Sequence, residues 1–155
     1  MAFGTSSKIF SAFITDCLNN TSALDLNADT IHAAIYTDGG TPSQTAASAS
    51  TAYDTGAWVQ ANEADNGGWS AGGLALASVA SGFSSNVYTL DAADPANGSA
   101  ATIADTRGCL VYDNTIATPV ADQGVCYNAF GGQVAVVAGT LTIVWHASGI
   151  FALTL

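Results

Sequence analysis

Apolar positions along the chain follow two different periods. Between residues 6 and 19, Ile9, Phe10, Phe13, Ile14, Cys17 and Leu18 recur three and four residues apart, which gathers them on one stripe of an amphipathic helix. Ser6 or Ser7 supplies an N-cap and Asn19-Asn20 a stop. The stripe predicts a helix packed on a sheet; an arm that docks on a partner is the other reading of it. From residue 30 to 155 the helical period disappears. Short runs rich in β-branched and aromatic residues predict strands at 31–37, 57–60, 74–79, 86–90, 101–105, 109–112, 125–130, 134–137, 141–146 and 150–153. Between them lie turn clusters such as Asp38-Gly39-Gly40 and Asn66-Gly67-Gly68, and loops at 41–52 and 91–99. The expected fold is therefore mainly β: one sandwich-like domain over residues 1–155, with one N-terminal helix at 6–19 and a β-rich body over 30–155.

The stretch 134–155 holds a single ionisable side chain, His146, and is long enough to raise a membrane span. Gly139-Thr140 and Ser148-Gly149 divide it into three strand-sized pieces. Leu141, Ile143 and Trp145 alternate with Thr142, Val144 and His146, a period of two. Consecutive buried strands are the expectation, with no membrane. At the other end, the apolar run 9–14 is short and soon meets Asp16, so no signal peptide is expected.

Composition narrows the function classes. The chain has 155 residues, 49% of them hydrophobic, which is enough to fill a core, but only 9% are charged. Lys8 and Arg107 face twelve carboxylates, for a net charge of -10. Such a balance excludes a general nucleic-acid binder, which displaces counterions with Lys and Arg, and a polybasic membrane-surface protein. The exposed polar surface must come mainly from Ser, Thr, Asn and Gln, which associate more readily than charged side chains. Three cysteines, Cys17, Cys109 and Cys126, leave at least one unpaired and argue against a secreted disulfide framework. No CxxC or Cys-His spacing is present, so no structural zinc is expected; the thiols read as small buried apolar groups.

Few motifs suggest chemistry. Gly68-Trp69-Ser70-Ala71-Gly72 matches the G-x-S-x-G of a nucleophile elbow, and Asp residues and His146 follow in hydrolase order. An elbow joins a buried strand to a helix, whereas the residues before it are polar and 74–76 alternate like a strand. A glycine-rich turn in which Trp69 packs is the expectation, and a hydrolase using Ser70 the minor reading. Asp25-Leu26-Asn27-Ala28-Asp29 begins like a calcium loop, but Thr30 and Tyr36 stand where Gly and Glu belong, so an Asx turn is expected, with a weak cation site the minor reading. His32 and His146 read as separate strand histidines. Arg107 is expected to form a bidentate pair with an Asp. Asn19, Asn20 and Asn97 each begin an N-x-S/T triplet, common in chains rich in these residues. No catalytic, cofactor or metal residue is assigned.

Several segments resemble a group of small structural proteins of tailed bacteriophages. Residues 30–37, Thr-Ile-His-Ala-Ala-Ile-Tyr-Thr, resemble the family's "IKVALYT" first strand, with Pro42 following. Gly68-Trp69-Ser70-Ala71-Gly72-Gly73-Leu74 resembles its "GYxAGG" turn with Trp for Tyr. Residues 107–113, Arg-Gly-Cys-Leu-Val-Tyr-Asp, resemble "RGAVIYD". Phe130-Gly131-Gly132, residues 138–143, Trp145 and Ser148-Gly149-Ile150 resemble the closing strands. The chain departs at 94–99, where the family often carries a Trp and Pro95-Ala96-Asn97-Gly98 stands here. The resemblance implies a virion protein, made in the host bacterial cytoplasm and carried on the capsid surface as a decoration or cement protein. Its implied partners are the major capsid protein and further copies of itself, trimers included; it brings no catalytic or contact residues. The alternative is a tail- or fibre-associated module for host adsorption or glycan binding, with Trp58, Trp69 and Tyr53 as candidate exposed aromatics.

Overall fold

The computed structural model describes residues 3–4, 6–65 and 68–154. Strand outweighs helix, 39% to 12%, so the chain is mainly β, with two antiparallel sheets and a short helix near the N-terminus. In chain order the elements are β1 (Lys8–Ile9), α1 (Ser11–Leu18), β2 (Ile31–Tyr36), α2 (Ser48–Thr51), two 3-10 turns (Gly56–Trp58 and Gln60–Asn62), β3 (Leu74–Ala75), β4 (Ala80–Ser84), β5 (Val87–Asp91), β6 (Ala101–Asp113), β7 (Gly124–Gly139) and β8 (Phe151–Thr154). The larger sheet has the order β1-β7-β6-β2-β3, the smaller β4-β5-β8.

Why the larger sheet sits at the centre follows from its register. Ala34 pairs with Leu110 and Tyr36 with Gly108, and Leu110 pairs with Tyr127, so these side chains share one face. Onto that face fold Phe3, Phe10 and Trp58: Trp58 lies edge-on to Tyr36 at 5.1 Å and to Phe10 at 6.0 Å between ring centroids. Ile31, Ala33, Ile35, Cys109 and Val111 occupy the opposite face, and Cys126 and Asn128 on that side share a cleft with Ile150 and Phe151 at the smaller sheet. Strands covered on both faces carry near-continuous apolar sequence rather than alternation, as in Gly-Cys-Leu-Val-Tyr of β6, all buried. Farther from this centre, β6 and β7 return to alternating or exposed positions at 101–104 and 131–138.

The helix is shorter than the apolar stripe predicts. It begins at Ser11, with Phe10 in the cap position and no side-chain cap. Residues 8 and 9 instead pair with Tyr127 and Cys126 as β1, and Phe10 N–H donates to Val125 O at 3.1 Å. An added edge strand gives these backbone groups partners that a longer helix would not, so neither Ser6 nor Ser7 caps it. At the far end, Asn19 N–H donates to Thr15 O at 2.9 Å and Asn20 takes positive φ, the expected stop.

Other segments also differ from expectation. Residues 57–60 fall in the 3-10 turns rather than a strand, and the loop at 41–52 contains α2. The run 74–79 yields only β3. The Ser-Gly segment after it is β4, joined to β5 by a two-residue turn in which Ser85 and Asn86 both have positive φ, the geometry that matches strand twist. The two pieces 101–105 and 109–112 are one strand, as are 125–130 and 134–137, because register shifts between Ala101 and Gly108 interrupt the alternation without ending the pairing. Residues 141–146 form no regular strand, although Leu141 and Ile143 are buried and Thr142, Val144 and His146 exposed. Their backbone is held by the 94–99 loop: Ile143 N–H donates to Pro95 O at 3.0 Å and Trp145 N–H to Asp94 Oδ1 at 2.8 Å. Among the described residues no helix is long and apolar enough to cross a membrane.

Close approach of backbone to backbone is sharpest at Gly73. Its φ is +77°, and a Cβ there would lie 2.2 Å from Ala33 O. Gly131 has a similar φ of +78° but open space around it. Gly73→Ala is expected to lose at least ~3 kcal/mol of stability, and Gly131→Ala about 1 kcal/mol; urea midpoints of the two variants check the contrast.

Candidate functional site

The residues flagged by sequence do not converge. Ser70 is exposed in a glycine-rich turn that is bolted down from several sides. Trp69 is buried and its Nε1–H donates to Ala33 O at 3.3 Å. Gly72 O accepts from Tyr112 Oη at 2.7 Å and lies 3.1 Å from His32 Nδ1, while Gly72 N–H donates to Glu63 Oε2 at 3.2 Å. Tyr53 Oη donates to the same Glu63 oxygen at 2.9 Å and its ring stacks on Tyr112 at 5.2 Å. Burial pushes the Glu63 carboxyl above its usual range, against these donors, which pull it down. The turn is thus an anchor of the β2–β6 face, and its serine is exposed. His32 is half-buried on β2, and His146 is exposed in a turn before β8 where its Nδ1 accepts from Ser148 N–H at 3.1 Å. Neither Nδ1 is engaged with Ser70, and His146 is not on a strand.

The acidic loop forms the expected Asx turn: Asp25 Oδ1 accepts from Asn27 N–H at 3.0 Å. Asn27 turns away to Ser81, whose N–H donates to its Oδ1 at 2.6 Å, so the loop's oxygens do not face a common point. Arg107 pairs with Asp105 through Nε alone, at 2.8 Å and partly exposed, a single contact rather than a fork. Cys109 and Cys126 are buried, and burial pushes the Cys109 thiol up to about 12. Cys17 corrects the expectation of three buried thiols: it is exposed, because α1 ends beside it. Partial desolvation and Asp16 still raise its pKa, which keeps it a protonated, weak nucleophile. The aromatics named for a glycan platform are also placed otherwise: Trp58 and Trp69 are 1% exposed and Tyr53 is half-buried against Tyr112.

What the structure does bring together is an apolar groove of about 940 Å³ between α1, the 20–27 segment and the smaller sheet. Phe13 packs edge-on against Phe151 at 6.3 Å, and Tyr88 tilts against Phe151 at 6.4 Å. Tyr88 Oη donates to Ser81 Oγ at 2.8 Å, and Ser81 is in turn held by Asn27. That chain of bonds fixes the 25–27 loop as one wall. Leu18 and Phe83 project from the two sides, 81% and 59% exposed. Among the described lining residues only Asp25 carries a carboxylate, so the groove offers apolar surface rather than charge. Val137 and Val144 are exposed outside it and are ordinary isolated surface residues.

Two of these residues were hidden in the sequence for different reasons. Leu18 shares the helical stripe of Phe10 and Phe13 and so reads as core; it is exposed because the helix ends there. Phe83 sits in Ser-Gly-Phe-Ser-Ser, which reads as loop. A lone Phe ahead of the Ser85-Asn86 turn was the available signal. No family model, curated protein or solved structure matches this chain.

Because neither side chain supports the core, Leu18→Ser and Phe83→Ser are each expected to change stability by less than about 0.5 kcal/mol. Both should lower the fluorescence of a hydrophobic dye bound to the native protein. Unchanged dye binding in the double variant contradicts an open apolar groove.

Proposed function

We propose that this chain is a structural, non-catalytic virion protein: a bacteriophage capsid decoration protein that seats its apolar groove on the outer head shell and bridges neighbouring capsid subunits. The observation that carries the reading is the groove itself, with Leu18 and Phe83 left open on a body whose other large side chains are mostly buried. Exposed apolar patches of this kind mark surfaces made for other proteins. The phage-like segments support it further. Within the phage-like segments, residues 31–36 and 108–113 pair as β2 and β6, and the 68–74 turn is anchored on them, so three of the matching segments meet in the core.

Mechanistically, each copy needs only a modest contact. Apolar burial in the groove supplies it, and many copies on one shell turn it into large avidity. The net charge of -10 favours a shell surface with basic residues and opposes clumping of free copies.

The test is sedimentation with purified shells stripped of accessory proteins. Wild-type protein is expected to co-sediment in numbers that match the shell's subunits or local symmetry axes. Leu18→Asp with Phe83→Asp should weaken that binding at least about tenfold at unchanged melting temperature. Binding of a handful of copies per particle, or none, contradicts the assignment to the head.

A further inference from the structure

A second feature lies where the 25–30 loop meets the end of β6. Asp113 ends β6 and is fully buried. Its N–H donates to Gln123 O at 3.0 Å, and its Oδ1 accepts from Thr115 N–H at 2.7 Å and Ile116 N–H at 3.2 Å. Its other oxygen, Oδ2, is buried with no donor among the described residues. The group within hydrogen-bonding reach of this carboxyl is another carboxyl, that of Asp29. Asp29 is similarly committed on one side, its Oδ2 accepting from Asp25 N–H at 2.6 Å. The segments bearing the two acids are stitched together on either side, Thr30 N–H donating to Thr115 Oγ1 at 2.7 Å and Asn114 N–H to Thr30 O at 2.9 Å. They cannot separate without breaking those bonds.

Among the described residues no Lys or Arg relieves this meeting. Lys8 and Arg107 are the chain's only Lys and Arg; Lys8 lies on β1 and Arg107 is paired with Asp105. From β2 the nearest titratable side chain in sequence is His32, which faces Gly72. From the 114–123 turn it is Asp122, which lies near His32. From the 25–30 loop, besides Asp29, it is Asp25, whose Oδ1 caps its own turn. Two ionised carboxylates this close, Asp113 buried and Asp29 half-buried, repel each other, and one proton held between them removes the repulsion and satisfies the orphaned oxygen.

We infer that Asp29 and Asp113 share one proton and form an acid-closed clasp that holds the 25–30 loop against the end of β6. Desolvation first, and then the neighbouring Asp29, raise the Asp113 carboxyl to about 6, so the clasp works in a mildly acidic to neutral window. The folded pKa lies above the unfolded one. The clasp's contribution is therefore complete below the ordinary Asp range and is lost as pH rises through about 6. Opening loosens the loop that carries Asn27, and with it one wall of the groove. Tightness of the groove thus becomes pH-dependent, whatever binds there.

Asparagine at either position keeps the turn-capping oxygen and donates an N–H to the remaining carboxylate, a clasp closed at every pH. Melting temperatures of the wild type, Asp29→Asn and Asp113→Asn from pH 5 to 7.5 test this. Glu63 and Asp122 are common to all three proteins, so the difference curves isolate the pair. The wild type is expected to fall relative to both variants by roughly 5 °C across the range. Parallel curves overturn the clasp. Calcium chloride that raises the wild-type melting temperature at pH 7.5, but not that of Asp29→Asn, also overturns it, by putting a metal in the proton's place. Carbon-13 titration of the wild-type Asp113 carboxyl keeps the test open if a variant fails to fold: it is expected to titrate near pH 6, and titration below 5 refutes the proposal.

Discussion

The structure depends on how closely its layers approach the central strands. A Cβ at Gly73 would meet the Ala33 carbonyl, one at Gly124 would lie 2.4 Å from Thr51 O, and one at Gly108 would lie 2.2 Å from the Phe3 ring. Backbone and aromatic rings therefore rest directly on β2, β6 and β7, with no side chain between. Dispersion and water exclusion at that distance do the work that ion pairs do elsewhere. Such packing accounts for the composition: many Gly and Ala, few charges, and polar groups such as Glu63 and Tyr112 used to fix turns against the sheet.

Much of this was legible. β2 and its following turn stand out as an apolar run closed by Asp-Gly-Gly, and β8 and the central parts of β6 and β7 are equally plain. Less visible was anything decided by pairing rather than local pattern. The register shifts in β6 split one strand into two apparent ones. β4 is polar because it is largely exposed, and only its turn to β5 betrays it. Residues 8 and 9 have a helical neighbourhood, yet the free edge of β7 captures them. The groove was concealed by the same cause. Leu18 and Phe83 have the wrong local context for an exposed apolar site, and only the tertiary meeting of α1 with the smaller sheet creates it. Trp58 illustrates the converse, a large aromatic named as a candidate exposed residue that fills the core, whereas Trp69 packs as its glycine-rich turn led one to expect.

Groove and clasp share one loop. Asp25, Asn27 and Asp29 look in sequence like the start of a cation site, but each carboxamide or carboxyl oxygen serves a different part of the fold: the loop itself, β4 and β6. Rigid central strands thus hold a wall whose attachment responds to protonation, beside an apolar surface that does not. In a protein with two strong cations and twelve acids, sharing a proton is an available way to bury a second carboxylate.

The central claim is that a closely packed β body presents the groove between α1 and the smaller sheet to a capsid shell. A cryo-electron-microscopy reconstruction of the decorated particle tests it most directly. The account predicts density for this chain on the outer head surface with Leu18 and Phe83 covered by capsid subunits. Density on the tail, or a head-bound chain whose groove faces solvent, would contradict it.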